Sequence, residues 1–336
     1  MGDGVLEMDL GKRFIVPVPR FDPMGGVTVL EPPGSGPGHW VGAPSILYDA
    51  EDAGVYYLSY RQRKPRGEGR GYMCVVADSA DGVHFEPIWE AHKDAFDASS
   101  VERAALVKTP EGRYRLYLSL SDLADGRWKV DMMEADDPSR FDPDTRTRVL
   151  DPVPLGLAGV KDPYIVLVGG LYWALLSYAP IPADVEESAL HGTGDAYATG
   201  TTSSHTGLAI SSDGVSFDWQ GDVFSPAPGH WDAYAARIGT VLPAGAGFLA
   251  FYDGGAGVEE NYEERCGLAV TFDLRHFHRV SVNEPFLTSP HGSGSLRYLD
   301  AIVVPGGSSG VEEVRCYYEY ARADGSHELR MSSLSL

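Results

Sequence analysis

Four carboxylates, Glu102, Asp162, Asp232 and Asp300, and five cations, Arg61, Arg103, Lys161, Arg237 and Arg265, stand at comparable points of a chain that keeps repeating itself. Acids that share a cavity with guanidinium groups shift one another's pKa values, and a pair of them can pass a proton to and from a bound polar molecule. Trp40, Tyr178, Trp231, Tyr234, His39 and His205 lie close by in sequence and would offer flat faces and hydrogen-bonding groups to that molecule. Each residue also has a plainer role open to it. Asp162 precedes Pro163 and fits a turn before a strand, and Asp300 and Glu102 fit salt bridges to Arg103 or Arg237. Arg61 fits a solvated strand end, and His39 and His230 fit a corner packed beside their Trp neighbours. The scattered histidines show no metal-ligand spacing, and no cofactor is expected.

The elements that must position these groups are marked by repetition. Pro37-Gly38-His39-Trp40 recurs as Pro228-Gly229-His230-Trp231, and each copy leads into an apolar run, a turn and a second apolar run. A second signature, an apolar strand followed by an Asp-led turn and an aromatic, occurs at Cys74 to Phe85, Gly207 to Phe217 and Gly267 to Phe277, with a weaker version at Val130 to Phe141. Five units result. Their first strands are Ala43 to Tyr48, Arg103 to Lys108, Asp162 to Val168, Arg237 to Leu242 and Asp300 to Val304. Tyr-rich second strands follow: VYYLSY, YRLYLSL, LYWALLSY, FLAFYD and VRCYYEY. Aligning Ala43, Arg103, Asp162, Arg237 and Asp300 gives spacings of 60, 59, 75 and 63. These exceed the roughly 40 residues of common propeller repeats but suit four-stranded blades with long loops. The spacing of 75 is explained by a loop inserted at 181–204, between the second and third strands of unit three.

The expected fold is therefore all-β, a five-bladed β-propeller in one domain spanning 1–336. Its last blade is completed by the N-terminal segment Gly26 to Pro32, which removes the free sheet edges. A pair of β-sandwiches is the alternative. In a propeller the aligned positions open the innermost strands and converge on one mouth of the central channel.

Bulk composition agrees. A hydrophobic share of 43% supplies a core, while 40 Gly and 23 Pro favour turns over long helices. A formal charge of -21 argues against a nucleic-acid partner. The opening stretch MGDGVLEMDLGKRF has no secretory pattern, and no run reaches the roughly 18 apolar residues of a membrane span, so a soluble, cytoplasmic protein is expected. Cys74, Cys266 and Cys316 lie far apart inside strand patterns and read as buried thiols.

GAPSILYD followed by VYYLSY, the stretch VKDPYIVLVGGLYWALLSY, and the repeated GLA-strand-Asp-aromatic units resemble the five-bladed propeller glycoside hydrolases. That superfamily includes the arabinanase and β-xylosidase group (family 43), the invertase group (family 32) and the mannoside phosphorylase group (family 130). The resemblance covers the whole chain and implies a sugar-containing small-molecule substrate handled by opposed carboxylates. It also implies an Asp before Pro in the first inner strand, where this chain has Ala43-Pro44, and an Asp-Pro in the third, which Asp162-Pro163 matches. The general-acid Glu of the fourth unit has no counterpart, Tyr234-Ala235-Ala236-Arg237 standing in its place. In the phosphorylase-like group basic residues hold phosphate, and Arg61, Arg103, Lys161 and Arg237 would suit such a clamp.

Two readings follow. The first is a glycoside hydrolase-like or phosphorylase-like enzyme working in the propeller funnel, with Asp162, Asp300, Glu102 and Asp232 as acid and base candidates. The second is a non-hydrolytic propeller, a lyase, isomerase or cyclase of specialised metabolism or a carbohydrate-binding protein, in which the Asp has been lost at Ala43. A propeller that binds other proteins is a third, weaker possibility.

Overall fold

The computed structural model describes residues 21–52, 54–305 and 312–335. The opening stretch read above for targeting signals lies outside them. Among the described residues no helix is long and apolar enough to cross a membrane.

The strands are β1 (Val27–Leu30), β2 (Trp40–Asp49), β3 (Val55–Arg63), β4 (Gly71–Ser79), β5 (Glu86–His92), β6 (Ala98–Lys108), β7 (Tyr114–Asp122), β8 (Trp128–Ala135), β9 (Thr147–Leu150) and β10 (Leu157–Val168). They continue with β11 (Leu171–Pro180), β12 (His205–Ser211), β13 (Asp218–Phe224), β14 (Ala235–Ala244), β15 (Gly247–Gly255), β16 (Arg265–Thr271), β17 (Phe277–Arg279), β18 (Leu296–Val304), β19 (Glu313–Ala321) and β20 (His327–Ser335). Strands β6 to β9, β10 to β13 and β14 to β17 form three separate four-stranded antiparallel sheets. Strands β2 to β5 form a fourth antiparallel run, joined to β18-β19-β20 through one parallel pair, Trp40 with His327. Strand β1 pairs antiparallel with β20, Val27 opposite Met331, so the early segment does lie on the last sheet.

The third strand of three sheets leads into the same locally closed turn, and this is why the Asp-led signature is legible. Ser79 Oγ accepts from the amides of Asp81 and Gly82, and Asp81 Oδ1 accepts from those of Val83 and His84. Ser211 with Asp213, and Thr271 with Asp273, repeat the pattern. Short polar side chains here bond the backbone more cheaply than a ladder partner would. The weaker copy does not make this turn. Asp137 instead caps a 3-10 turn, Pro138–Arg140, and a second such turn, Pro143–Thr145 capped by Asp142, leads into β9.

Apolar faces pack between sheets. One cluster joins β3-β4-β5 to β6-β7-β8, with Val76, Leu106 and Leu116 at its centre. Others join β6 to β9 with β10 to β12, β11 to β13 with β14 to β16, β14 to β16 with β18-β19, and β18-β19-β20 back to β2-β3-β4. Cys74, Cys266 and Cys316 are free thiols buried in these clusters, and burial pushes Cys74 and Cys316 up to about 12. The insert at 181–204 connects β11 to β12 and contains a short helical turn, Glu187–His191.

Candidate active site

The five first strands touch in sequence: β2 packs on β6, β6 on β10, β10 on β14, β14 on β18, and β18 on β2. All five begin earlier than sequence reading placed them, because each is interrupted by a bulge that breaks the alternating pattern. The pairing slips between Gly42 and Ser45, Val101 and Ala104, Lys161 and Tyr164, Ile238 and Thr240, and Arg297 and Asp300. Bulges re-aim side chains and are common beside active sites. Glu102, Arg103, Lys161, Asp162, Arg237 and Asp300 thus lie within strands, not at their starts.

Ala43, Asp162 and Tyr298 share a left-handed backbone, each with φ of 53°. For a tyrosine this conformation is a genuine outlier and stores strain. It also corrects the alignment of unit five. Tyr298, not Asp300, occupies the place of Ala43 and Asp162, and Asp300 stands two residues further on.

Around Tyr298 the structure gathers a buried network of charges. Arg61 Nε donates to Glu102 Oε2 at 2.9 Å, its Nη2 to Glu319 Oε2 at 3.2 Å, and Arg63 Nη1 to Glu102 Oε1 at 2.6 Å. Arg297 donates to Glu319 Oε1 at 2.9 and 2.8 Å and to Glu264 Oε2 at 2.9 Å, while Arg237 Nη2 lies 2.5 Å from Glu264 Oε1. The guanidinium groups of Arg61, Arg237 and Arg297 stand 5.9, 5.9 and 4.9 Å from the Tyr298 ring centre. Asp162 Oδ2 accepts from the Tyr298 hydroxyl at 3.4 Å and lies 3.3 Å from Lys161 Nζ, while Asp162 Oδ1 is buried without a hydrogen-bond partner. Asp253 Oδ1 accepts from the Tyr298 amide at 2.8 Å.

Burial opposes the charge of these acids, and their partners decide the outcome. Glu102 is held down at about 2 because Arg61 and Arg63 outweigh its desolvation; Arg237 and Arg297 do the same for Glu264, and Glu319 is also held low by Arg297 and Arg61. Asp253 goes the other way. Burial pushes it up to about 6, Arg237 offsetting this only in part while Glu264 adds to it.

These directions predict the acid limb of stability. The lowered glutamates contribute fully above their ordinary value of 4.5 and lose that contribution as the pH falls toward about 2. Asp253, raised above its ordinary 3.8, instead removes stability as it ionises between there and about 6. Three glutamates outweigh one aspartate, so the thermal midpoint is expected to fall below about pH 4.5. A midpoint unchanged between pH 6 and pH 3 would contradict an ionised glutamate network.

The insert covers this network. Its Asp195 accepts from Trp128 Nε1 at 3.1 Å, from Arg70 Nη2 at 3.4 Å and from the Tyr262 hydroxyl. The Tyr197 ring lies 4.9 Å from Lys161 Nζ, and Tyr234 donates through its hydroxyl to the Tyr197 carbonyl at 2.8 Å. Trp40 stacks on buried His327 at 4.5 Å, with Arg63 and Arg297 each 5.0 Å from its ring.

Of the residues singled out in the sequence, Asp162, Glu102, Arg61 and Arg237 are brought together, with Trp40 beside them and Tyr234 holding the cover. Asp300 and Arg103 lie apart from the network. Asp300 accepts from the Ile46 and Ala301 amides, sits 3.8 Å from Arg103, and lines a separate cavity of about 230 Å³ with Ser45, Leu106 and Tyr164. Asp232 is paired with Arg279 and the Tyr252 hydroxyl, and Trp231 stacks on Tyr252. Tyr178 and His205 meet Asp222, Arg265 pairs with Glu260, and His39 sits in the bend before β2. Asp232, Trp231, Tyr178, His205 and Arg265 keep these partners outside the network, whereas the His39 carbonyl accepts from the His327 amide at 3.2 Å and so touches its edge. Sequence reading missed Arg63, Asp253, Glu264, Arg297, Tyr298, Glu319 and His327. Among the described residues no group of three or more His, Cys, Asp or Glu is placed to hold a metal ion.

No protein-family model matches the chain, and no curated protein matches it by sequence. Solved structures do match its fold. A thermostable family-43 glycoside hydrolase is 13% identical, with 92% of each chain covered and a TM-score of 0.61. An N-acetylgalactosamine deacetylase from F. plautii, solved with blood group B trisaccharide, is 14% identical, covering 93% of this chain and 95% of that one, with a TM-score of 0.63. The β-1,2-mannobiose phosphorylase from Listeria innocua, solved with β-1,2-mannobiose, is 15% identical over 96% of both chains, with a TM-score of 0.59. The resemblance drawn from the sequence motifs therefore holds at the level of the fold, which this chain shares with glycoside hydrolases and phosphorylases of families 43 and 130.

Proposed function

We propose that the chain is one five-bladed β-propeller domain that cleaves a glycosidic bond of a sugar-containing small molecule in the network around Tyr298. The circle of first-strand contacts and the five apolar clusters between successive sheets support the propeller reading. The chemistry rests on one observation. Asp162 and Asp253 both bond to Tyr298, and they differ in environment: Asp162 has a buried oxygen without a partner, and Asp253 holds its proton to about 6. Acid–base catalysis needs two carboxyl groups whose environments set them apart. In this reading Asp253 protonates the departing oxygen, and Asp162 accepts a proton on the sugar side. Glu102, Glu264 and Glu319 stay ionised and keep the guanidinium groups in place.

The test is a panel of aryl glycosides, with and without inorganic phosphate, assayed with the parent and with Asp162→Asn and Asp253→Asn. Each variant is expected to lose on the order of 100-fold or more in kcat with an unchanged melting temperature. The parent's rate should decline as the pH rises past about 6, where Asp253 gives up its proton. Parent-like rates in both folded variants would rule this reading out.

Ala43 favours a second reading. It shares the left-handed position of Asp162 and Tyr298 yet carries no group able to react, and one fold neighbour is a deacetylase, so the scaffold also carries other chemistry. A non-hydrolytic enzyme or sugar-binding protein predicts ligand-dependent stabilisation in a thermal-shift screen with no release of aglycone, and no glycosidase activity gained by Ala43→Asp.

A further inference from the structure

We infer that the hydroxyl of Tyr298 is the nucleophile of this site, taking on the role that Ala43 cannot fill. The inference rests on the glycosidase reading above and deepens it. Three observations carry it. Tyr298 is in the same left-handed bulge geometry as Ala43 and Asp162, so the fold presents it at an equivalent place on a different first strand. Its hydroxyl donates to Asp162 Oδ2, which puts a proton acceptor on the atom that must attack. A tyrosine held in a strained backbone conformation persists only where its surroundings over-determine it. Here Asp253 grips its amide and three guanidinium groups surround its ring.

The step balances without a co-reactant. The phenolic oxygen attacks the anomeric carbon as its proton passes to Asp162. The glycosidic carbon–oxygen bond breaks with its electron pair on the departing oxygen, which takes the proton of Asp253. Water then attacks the glycosyl-tyrosine and gives a proton to the Asp253 carboxylate. The phenolate leaves and recovers its proton from Asp162. Two displacements at one carbon retain the anomeric configuration. The phenol is neutral at rest, since burial, Asp162 and Glu102 hold its pKa well above the ordinary value. Attack therefore depends on Asp162 accepting the proton as the bond forms.

The experiment treats the parent with 2,4-dinitrophenyl 2-deoxy-2-fluoro-glycosides of the sugars on the panel and maps the labelled peptide by mass spectrometry. The expected results are a fluoroglycosyl adduct on Tyr298, a retained configuration by proton NMR, and a loss of about 1000-fold or more in kcat for Tyr298→Phe at unchanged melting temperature. An adduct on Asp or Glu, an inverted product, or a folded Tyr298→Phe within about threefold of the parent would overturn the inference and leave the glycosidase reading standing. A parent inert on the whole panel would overturn both. Labelling of the parent decides the matter even if the Phe variant fails to fold.

Discussion

Replacing Arg297 by Met is expected to cost about 3 to 5 kcal/mol of folding stability, read as a lowered urea midpoint with an unchanged slope. Arg297 is 1% exposed and holds Glu264 and Glu319 at once, the two acids through which Arg237, Arg61 and His327 are also tied in. Met fills much of the same volume, so packing is largely kept and the loss comes from the charge. Two glutamates below ordinary carboxyl pKa values would then have too few cations around them. Adding Glu319→Gln to Arg297→Met should restore part of the loss, because it removes one of the stranded charges. Strict additivity of the two costs would mean that the pair does not interact. A loss under about 1 kcal/mol for Arg297→Met alone would place this network with surface ion pairs, which contribute little.

Asp195→Ala should free the insert without unfolding the sheets. Its carboxylate is fully buried and accepts from three side chains that come from three different sheet connections or strands: Arg70 before β4, Trp128 opening β8, and Tyr262 before β16. Removing the acceptor strands the Trp128 and Tyr262 donors, at about 1–3 kcal/mol for each buried group left unsatisfied. That is enough to raise local opening by about 10- to 100-fold, visible as faster amide exchange at 193–198 while β7 and β11 keep their protection. If closure of the insert precedes chemistry, kcat and KM should shift together. Uniform exchange across the whole chain would show instead that Asp195 holds the fold and not the cover.

The repeat was legible because its turns are chemically local. Ser79 with Asp81 and Ser211 with Asp213 close each turn from within four residues, so the sequence alone displays them. Asp162 was also readable, since a proline fixes its place beside a bulge. The partners of the network were not. Glu264 and Arg297 are 33 residues apart, and Arg61 and Glu319 are 258 apart. Nothing near either member marks the pair. One signal was present and unused: the Tyr-rich second strands run into Arg61, Asp253 and Glu319 at matching points, each paired across to the bulge region of its own first strand. Asp300 drew attention as the carboxylate of the last first strand, and the two residues taken up by the bulge hid the fact that Tyr298 holds the equivalent place.

The pairing of β1 with β20 has a kinetic consequence. The Thr28 hydroxyl donates to Glu328 across 300 residues of chain, and among the described residues β1 pairs with β20 alone. A ribosome making this protein releases β1 long before its partner exists, so this segment must wait, unpaired, while the intervening sheets form. Contacts of such long sequence separation slow the approach to the native state and leave an open strand edge during the delay. A chain cut short before β20 would thus leave β1 without a partner and expose the flanks of both β19 and β2.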